Sequence, residues 1–161
     1  ADCEFVRRWN GSAWFDAWVG KYFTTNGIEG GAGTTATASG GVWTANVYSS
    51  DSLHAGALLQ LFPLNAFETP FTLEIDWEGS ISSGIVGFLE VGSFNVNGDY
   101  LAGSGIRHTS SFSRITETVT VPTITEQDHF GAHVNLDNVA GYSATLIVYS
   151  IKINGVQISI R

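Results

Sequence analysis

Three carboxylates stand two residues apart at Glu74, Asp76 and Glu78, with Ile75 and Trp77 between them. On an extended strand, residues i, i+2 and i+4 share a face, which would set the carboxyls ~6–7 Å apart. A retaining glycosidase uses two carboxyls about 5–5.5 Å apart, one as nucleophile and one as acid/base. Glu74, Asp76 and Glu78 are therefore the candidate catalytic residues if the chain is an enzyme. The same alternation also describes the solvated face of an antiparallel strand, and Glu78-Gly79-Ser80 reads as the strand's end. The expectation is a non-catalytic protein. Other reactive side chains do not assemble in the sequence: His54, His108, His129 and His133 form no His-Glu-x-x-His pattern, Cys3 is the only cysteine, and no Gly-x-Ser-x-Gly elbow occurs. His129 and His133 could share a strand face, but two ligands do not make a metal site. No metal and no cofactor is expected.

A second chemistry needs no reactive group. Sugar recognition uses exposed rings that stack on pyranose faces, with amide, carboxylate or guanidinium groups beside them for the hydroxyls. The glycan-binding candidates are Trp43, Tyr48, Tyr100, Arg107 and Tyr142, with Phe112 as a further ring and Gln60, His108 and Asn135 as polar partners. Trp43 and Trp77 also fit a core-filling role.

These residues sit in a chain of 161 residues that is 43% apolar, only 14% charged and contains 19 glycines. That length fits one domain able to bury a core. Short β-prone runs separated by Gly, Ser, Asn and Pro point to an all-β antiparallel sandwich, and no segment shows helical periodicity over three turns. The net charge of −8, with seven Lys and Arg, opposes binding to nucleic acid or to an anionic membrane surface. No apolar run approaches the ~18 residues that span a bilayer, and no signal-peptide core stands in the sequence.

In chain order, residues 1–23 hold three of the five tryptophans and three of the seven basic residues. Asn10-Gly11 lies between two β-prone runs, the favoured type I′ turn, so a hairpin of residues 4–9 with 12–19 is predicted. Asn10-Gly11-Ser12 also matches a glycosylation sequon. Arg7, Arg8, Trp9, Trp14 and Trp18 are the candidate docking residues, because aromatics and arginine anchor interfaces; closing one end of the core is the competing role. Residues 24–41, rich in Gly, Thr, Ala and Ser, read as a connector or loose edge segment. Residues 42–161 form the sandwich. Within it, Phe71, Leu73, Ile75 and Trp77 mark a strand on the core. Further strands are expected over 85–91, 93–100, 115–121, 129–136, 144–153 and 156–160, with a hairpin turn at Asn154-Gly155 and an irregular loop over 101–113.

The order GVWTANVYSSDSLHAGALLQLFPL (41–64), PFTLEIDW (70–77) and YSATLIVYSIKI (142–153) resembles the jelly-roll carbohydrate-binding modules of galactose-binding-like fold. The resemblance covers 41–161 and implies a jelly-roll sandwich that binds glycans. Those modules often hold a structural calcium through acidic residues near the N-terminus and in the last strand. Here the last strand has Tyr149-Ser150-Ile151 in place of an Asp-Asn-Val segment, so that site is not expected. VRRWNGSAWFDAWV (6–19) is similar to short segments of bacteriophage tail and accessory virion proteins. The Glu74-x-Asp76-x-Glu78 row is similar to the motif of laminarinase-type family-16 glycoside hydrolases, which would make Glu74 nucleophile and Glu78 acid/base.

Together these readings predict a jelly-roll β-sandwich with an N-terminal hairpin arm. The expected function is a non-catalytic bacteriophage virion accessory protein, a capsid decoration or tail component. It would dock on other virion subunits, self-associate and offer its sandwich to surface glycans from the virion surface. The alternative is a carbohydrate-binding module of a secreted polysaccharide-degrading enzyme.

Overall fold

The computed structural model describes residues 5–9, 14–18, 25–29, 33–49, 55–63, 70–82, 87–95, 97–124, 129–137, 140–158 and 160. Every regular element among them is a strand. In chain order these are β1 (Phe5–Trp9), β2 (Trp14–Trp18), β3 (Thr25–Glu29), β4 (Thr35–Ser39), β5 (Val42–Ser49), β6 (Ala55–Pro63) and β7 (Phe71–Ile81). There follow β8 (Gly87–Phe94), β9 (Ile106–His108), β10 (Phe112–Val121), β11 (His129–Leu136), β12 (Tyr142–Ile153) and β13 (Val156–Ile158).

Two antiparallel layers result. One runs β10-β7-β12-β5-β4, with β13 also paired to β12; the other runs β3-β6-β11-β8-β9. Apart from the β8–β9 pair, which stays in one layer, strands β5 to β12 alternate between the two layers in the jelly-roll manner, so that chain-distant strands become neighbours. Long-range pairing of this kind fixes each strand's register through its buried face. On β7, Phe71, Leu73, Ile75 and Trp77 are buried, while Thr72, Glu74, Asp76 and Glu78 face outward. Trp43, Ala45 and Val47 of β5 and Ala144, Leu146 and Val148 of β12 extend that apolar surface. The facing layer contributes Ala57, Leu59, Leu89, Val91, Phe130, Ala132, Val134 and Leu136. Each fully buried Leu, Ile or Phe is worth about 1.5–3 kcal/mol relative to exposure.

The side gap between β10 and β9, edges of different layers, is closed by a polar-aromatic plug. Trp77 Nε1 donates to Glu117 Oε2 at 2.8 Å, His108 Nε2 meets the same oxygen at 2.8 Å, and Phe112 stacks on His108 at 4.2 Å. At the far end, Asn154 and Gly155 take φ values of 48° and 78°, the left-handed pair that a two-residue hairpin needs. Asn154 Oδ1 also accepts the Thr72 amide at 2.9 Å.

Of the two readings of residues 24–41, the edge segment is the one observed: β3 and β4 within them are edge strands of the two layers. Two expectations are corrected. The loop expected over 101–113 contains β9. A single strand, β8, replaces the two expected over 85–91 and 93–100, and residues 97–105 turn back across it. The N-terminal hairpin does form: β1 and β2 pair with Trp9 opposite Trp14, Arg7 opposite Asp16 and Phe5 opposite Trp18, as a two-stranded sheet of their own.

Candidate glycan-binding cleft

The outer face of the five-stranded layer carries the site. On β8, Leu89 and Val91 point into the core, so Phe88, Glu90, Gly92 and Phe94 point away from it. An outward strand face ordinarily meets water, yet Glu90 and Phe94 are buried. The cover is the returning chain. Asn95 Oδ1 accepts the amides of Asn97 and Asp99, each at 2.9 Å, while Asn95 Nδ2 donates to Asp99 Oδ2 at 3.0 Å. This side-chain turn throws Tyr100 back against Phe94, with ring centroids 5.8 Å apart. Ser104 Oγ then accepts the Ser93 amide at 2.8 Å, and β9 pairs with β8.

Two glycines permit so close an approach. A Cβ on Gly105 would lie 1.9 Å from the Val91 carbonyl oxygen, and one on Gly92 would lie 2.8 Å from the Tyr100 ring. Only a residue without a side chain fits either place.

Strand register lines up the floor. Leu58 on β6 faces His133 on β11, His133 faces Glu90 on β8, and Glu90 faces Arg107 on β9. Arg107 Nε donates to Glu90 Oε2 at 2.6 Å, and His133 Nδ1 lies 3.1 Å from Glu90 Oε1. A carboxylate only accepts, so the proton in the second contact belongs to Nδ1. Both oxygens of a carboxylate whose side chain is 3% exposed are thereby engaged, as a buried charge requires. The guanidinium lies between two rings, 4.4 Å from the Phe88 centroid and 4.3 Å from that of Tyr100. Burial, and secondarily the charge of Glu90, pushes the Tyr100 phenol above its ordinary pKa. Two residues along β11, Asn135 Nδ2 donates to Asp137 Oδ2 at 2.9 Å; its Oδ1 is buried and accepts no hydrogen bond from the described residues. Together with residues 97–99 these groups enclose a cleft of about 530 Å³, within the size range of small-molecule sites.

Of the expected glycan contacts, Tyr100 and Arg107 share this cleft, as does the polar partner Asn135. Trp43 is corrected: it is wholly buried in the core and has no face to offer a ligand. Tyr48, 43% exposed, lies on the outside of the other layer, whereas Tyr142 begins β12 on the inward side with Ala144 and Leu146. No single surface gathers these three with Tyr100. His108 and Phe112 belong to the edge plug, and the side chain of Gln60 lies outside the described residues.

Sequence reasoning missed Phe88, Glu90, His133, Asp99 and Asp137 as cleft residues. One signal was available: Glu90 is a lone acid within the apolar run Phe88-Leu89-Glu90-Val91, and an acid so placed needs a buried partner.

The carboxylate row lies on the outer face of the six-stranded layer, each member tied to a different neighbour. Lys152 Nζ donates to Glu74 at 2.6 Å, Arg114 grips Asp76 with two bonds of 3.0 and 2.6 Å, and the Tyr149 hydroxyl donates to Glu78 at 2.8 Å. The hydrogen bonds from Arg114 hold the Asp76 carboxyl below its ordinary pKa. Among the described residues no three His, Cys, Asp or Glu side chains converge on a metal position, and no helix is long and apolar enough to cross a membrane. The side chains of Arg7, Arg8, Trp9, Trp14 and Trp18 lie outside the described residues.

No protein-family model matches the chain, and no curated protein matches it. Solved structures do show likeness. A family 4 carbohydrate-binding module is 16% identical, with 75% of this chain and 89% of that one covered and a TM-score of 0.45. A family 29 carbohydrate-binding module is 12% identical, with 97% and 92% covered and a TM-score of 0.44. The enzymatically active domain of tailspike protein 4 from bacteriophage CBA120 is 8% identical, with a TM-score of 0.43; 82% of this chain is covered but only 19% of the tailspike. Likenesses this distant leave the ligand to be argued from the cleft itself.

Proposed function

We propose that this protein is a non-catalytic glycan-binding module whose ligand lies in the cleft on the outer face of the five-stranded layer. The observation that supports this reading is the mixture of groups converging there. A sugar hydroxyl both donates and accepts, and the cleft offers a donor (Arg107) beside an acceptor (Asp99) on a floor held by strand pairing. The carboxylate row, by contrast, spends its groups on neighbouring side chains on an open sheet face. Secretion, in company with a polysaccharide-degrading enzyme, is the setting that suits this activity.

Affinity electrophoresis through gels containing soluble polysaccharides tests the reading. Retardation by at least one polymer is expected; unchanged mobility in all of them contradicts it. Hydrolysis of a β-glucan that is lost in Glu74→Gln would contradict the non-catalytic part.

One observation favours a second role. The β1–β2 hairpin is a two-stranded sheet separate from both layers, which suits an arm that docks on a larger assembly such as a virion surface, or on a second copy. Removing residues 1–20 would then abolish attachment or self-association and leave a folded sandwich. Attachment that survives the deletion rules the arm out.

A further inference from the structure

We infer that the sugar is gripped by the guanidinium edge of Arg107 rather than by an aromatic ring face, and that the group gripped is a pair of adjacent hydroxyls on an uncharged sugar. This rests on the glycan reading above and specifies its chemistry. Phe88 and Tyr100 are the rings lining the cleft, and each turns a face to the guanidinium carbon within 4.4 Å. A face covered by a cation at that distance cannot also carry a pyranose. The Tyr100 ring is confined further by Phe94, in a T-shaped contact at 5.8 Å, and by Gly92, which it passes closely.

Arg107 is left as the presenting group. Its Nε is bonded to Glu90, while its two terminal nitrogens donate no hydrogen bond to any described residue. The side chain is 36% exposed and lines the cleft, so those N–H groups are available to a ligand. Two rings and one ion pair already fix the orientation, so the ordering cost that a free arginine would meet on binding is largely removed. The parallel N–H groups of a guanidinium suit two oxygens side by side.

Charge decides which oxygens. A carboxylate would match the fork, but the positive charge is already opposed by Glu90 at 2.6 Å, and Asp99 and Asp137 also line the cleft of a protein with net charge −8. Like charges at such range oppose an anionic ligand. Adjacent hydroxyls accept from the fork without that opposition, and their protons find an acceptor in the exposed Asp99 carboxylate that lines the cleft.

Gel retardation and calorimetry with the full chain test this, using a soluble glucan, a mannan and a xylan as neutral probes and polygalacturonic acid as the anionic one. At least one neutral polymer should bind and polygalacturonic acid should not. Arg107→Met should weaken that binding about tenfold or more, the loss of charge-assisted hydrogen bonds. Because Arg107→Met leaves Glu90 buried without its main counter-charge, the Glu90→Gln/Arg107→Met double variant, which removes the orphaned charge, should show the same loss in a folded protein. Neutral binding that is kept or strengthened in the double variant, with both rings uncovered, would overturn the guanidinium grip in favour of stacking. Polygalacturonic acid bound as tightly as the neutral polymer would overturn the preference for uncharged sugars. Failure of the wild type to bind any probe would instead remove the glycan reading itself.

Discussion

Glu90 holds together the side chains that make the cleft. It is buried, and it touches Arg107 from one edge strand and His133 from the layer's centre. Removing one partner of a buried pair leaves a desolvated charge, at a cost of about 3–5 kcal/mol. The two partners are unequal, because Arg107 reaches solvent and Glu90 does not. Arg107→Met should therefore destabilise by about 3 kcal/mol and Glu90→Gln by less, which urea denaturation with tryptophan fluorescence will rank. The opposite ranking would mean that Glu90 is well solvated. On the other layer, the Asp76 carboxyl is held below its ordinary pKa, first by hydrogen bonds from Arg114 and then by that residue's charge. A depressed carboxyl contributes stability above its unfolded pKa of about 3.9 and loses it as pH falls through the folded value. Arg114→Met should flatten that acid loss in denaturation curves taken below about pH 4, by a small amount because Arg114 is more than half exposed. At this scale the sequence exposed Tyr100 and Arg107 as binding candidates by residue type. It hid Glu90, whose role depends on partners 17 and 43 residues away.

The element that makes the cleft is the return of residues 97–108 over β8. Its tightest point is Gly105 against the Val91 carbonyl. Gly105→Ala has no room without displacing β9, and β9 carries Arg107, so the variant should lose about 2 kcal/mol of stability and most of its polysaccharide binding together. Retained binding in the folded variant would show that the β8–β9 pairing does not position the site. The alternation of Phe71, Leu73, Ile75 and Trp77 was legible because a half-buried strand imprints a period of two. The Asn154-Gly155 hairpin was legible because its left-handed residues demand those types. Residues 97–108 left no such mark, since what fixes them is a side-chain turn at Asn95 and two close glycine contacts. Strands β3 and β4 showed in the sequence only as a connector or a loose edge segment, for another reason. As edge strands they pair on one side only, and Thr35, Ala36, Thr37 and Ala38 pair adequately without the bulk by which a strand is recognised.

For the whole molecule, the jelly-roll order leaves each layer one outward face, and the two faces differ. The six-stranded face engages its own carboxylates through Lys152, Arg114 and Tyr149, whereas the five-stranded face keeps a cleft in which the terminal nitrogens of Arg107 donate to no described residue. The class of fold was legible from composition and turn spacing; which face carries the site was not, because that asymmetry arises only when the chain folds back over β8. The most direct measurement is a ¹H–¹⁵N correlation titration of the isotope-labelled protein with a soluble neutral oligosaccharide. Saturable shifts concentrated at Phe88, Glu90, Tyr100, Arg107 and Asn135, including the Arg107 side-chain resonances, are predicted. Shifts confined to the Glu74-to-Glu78 face or to the β1–β2 hairpin, or no shifts at all, would contradict the assignment of the cleft.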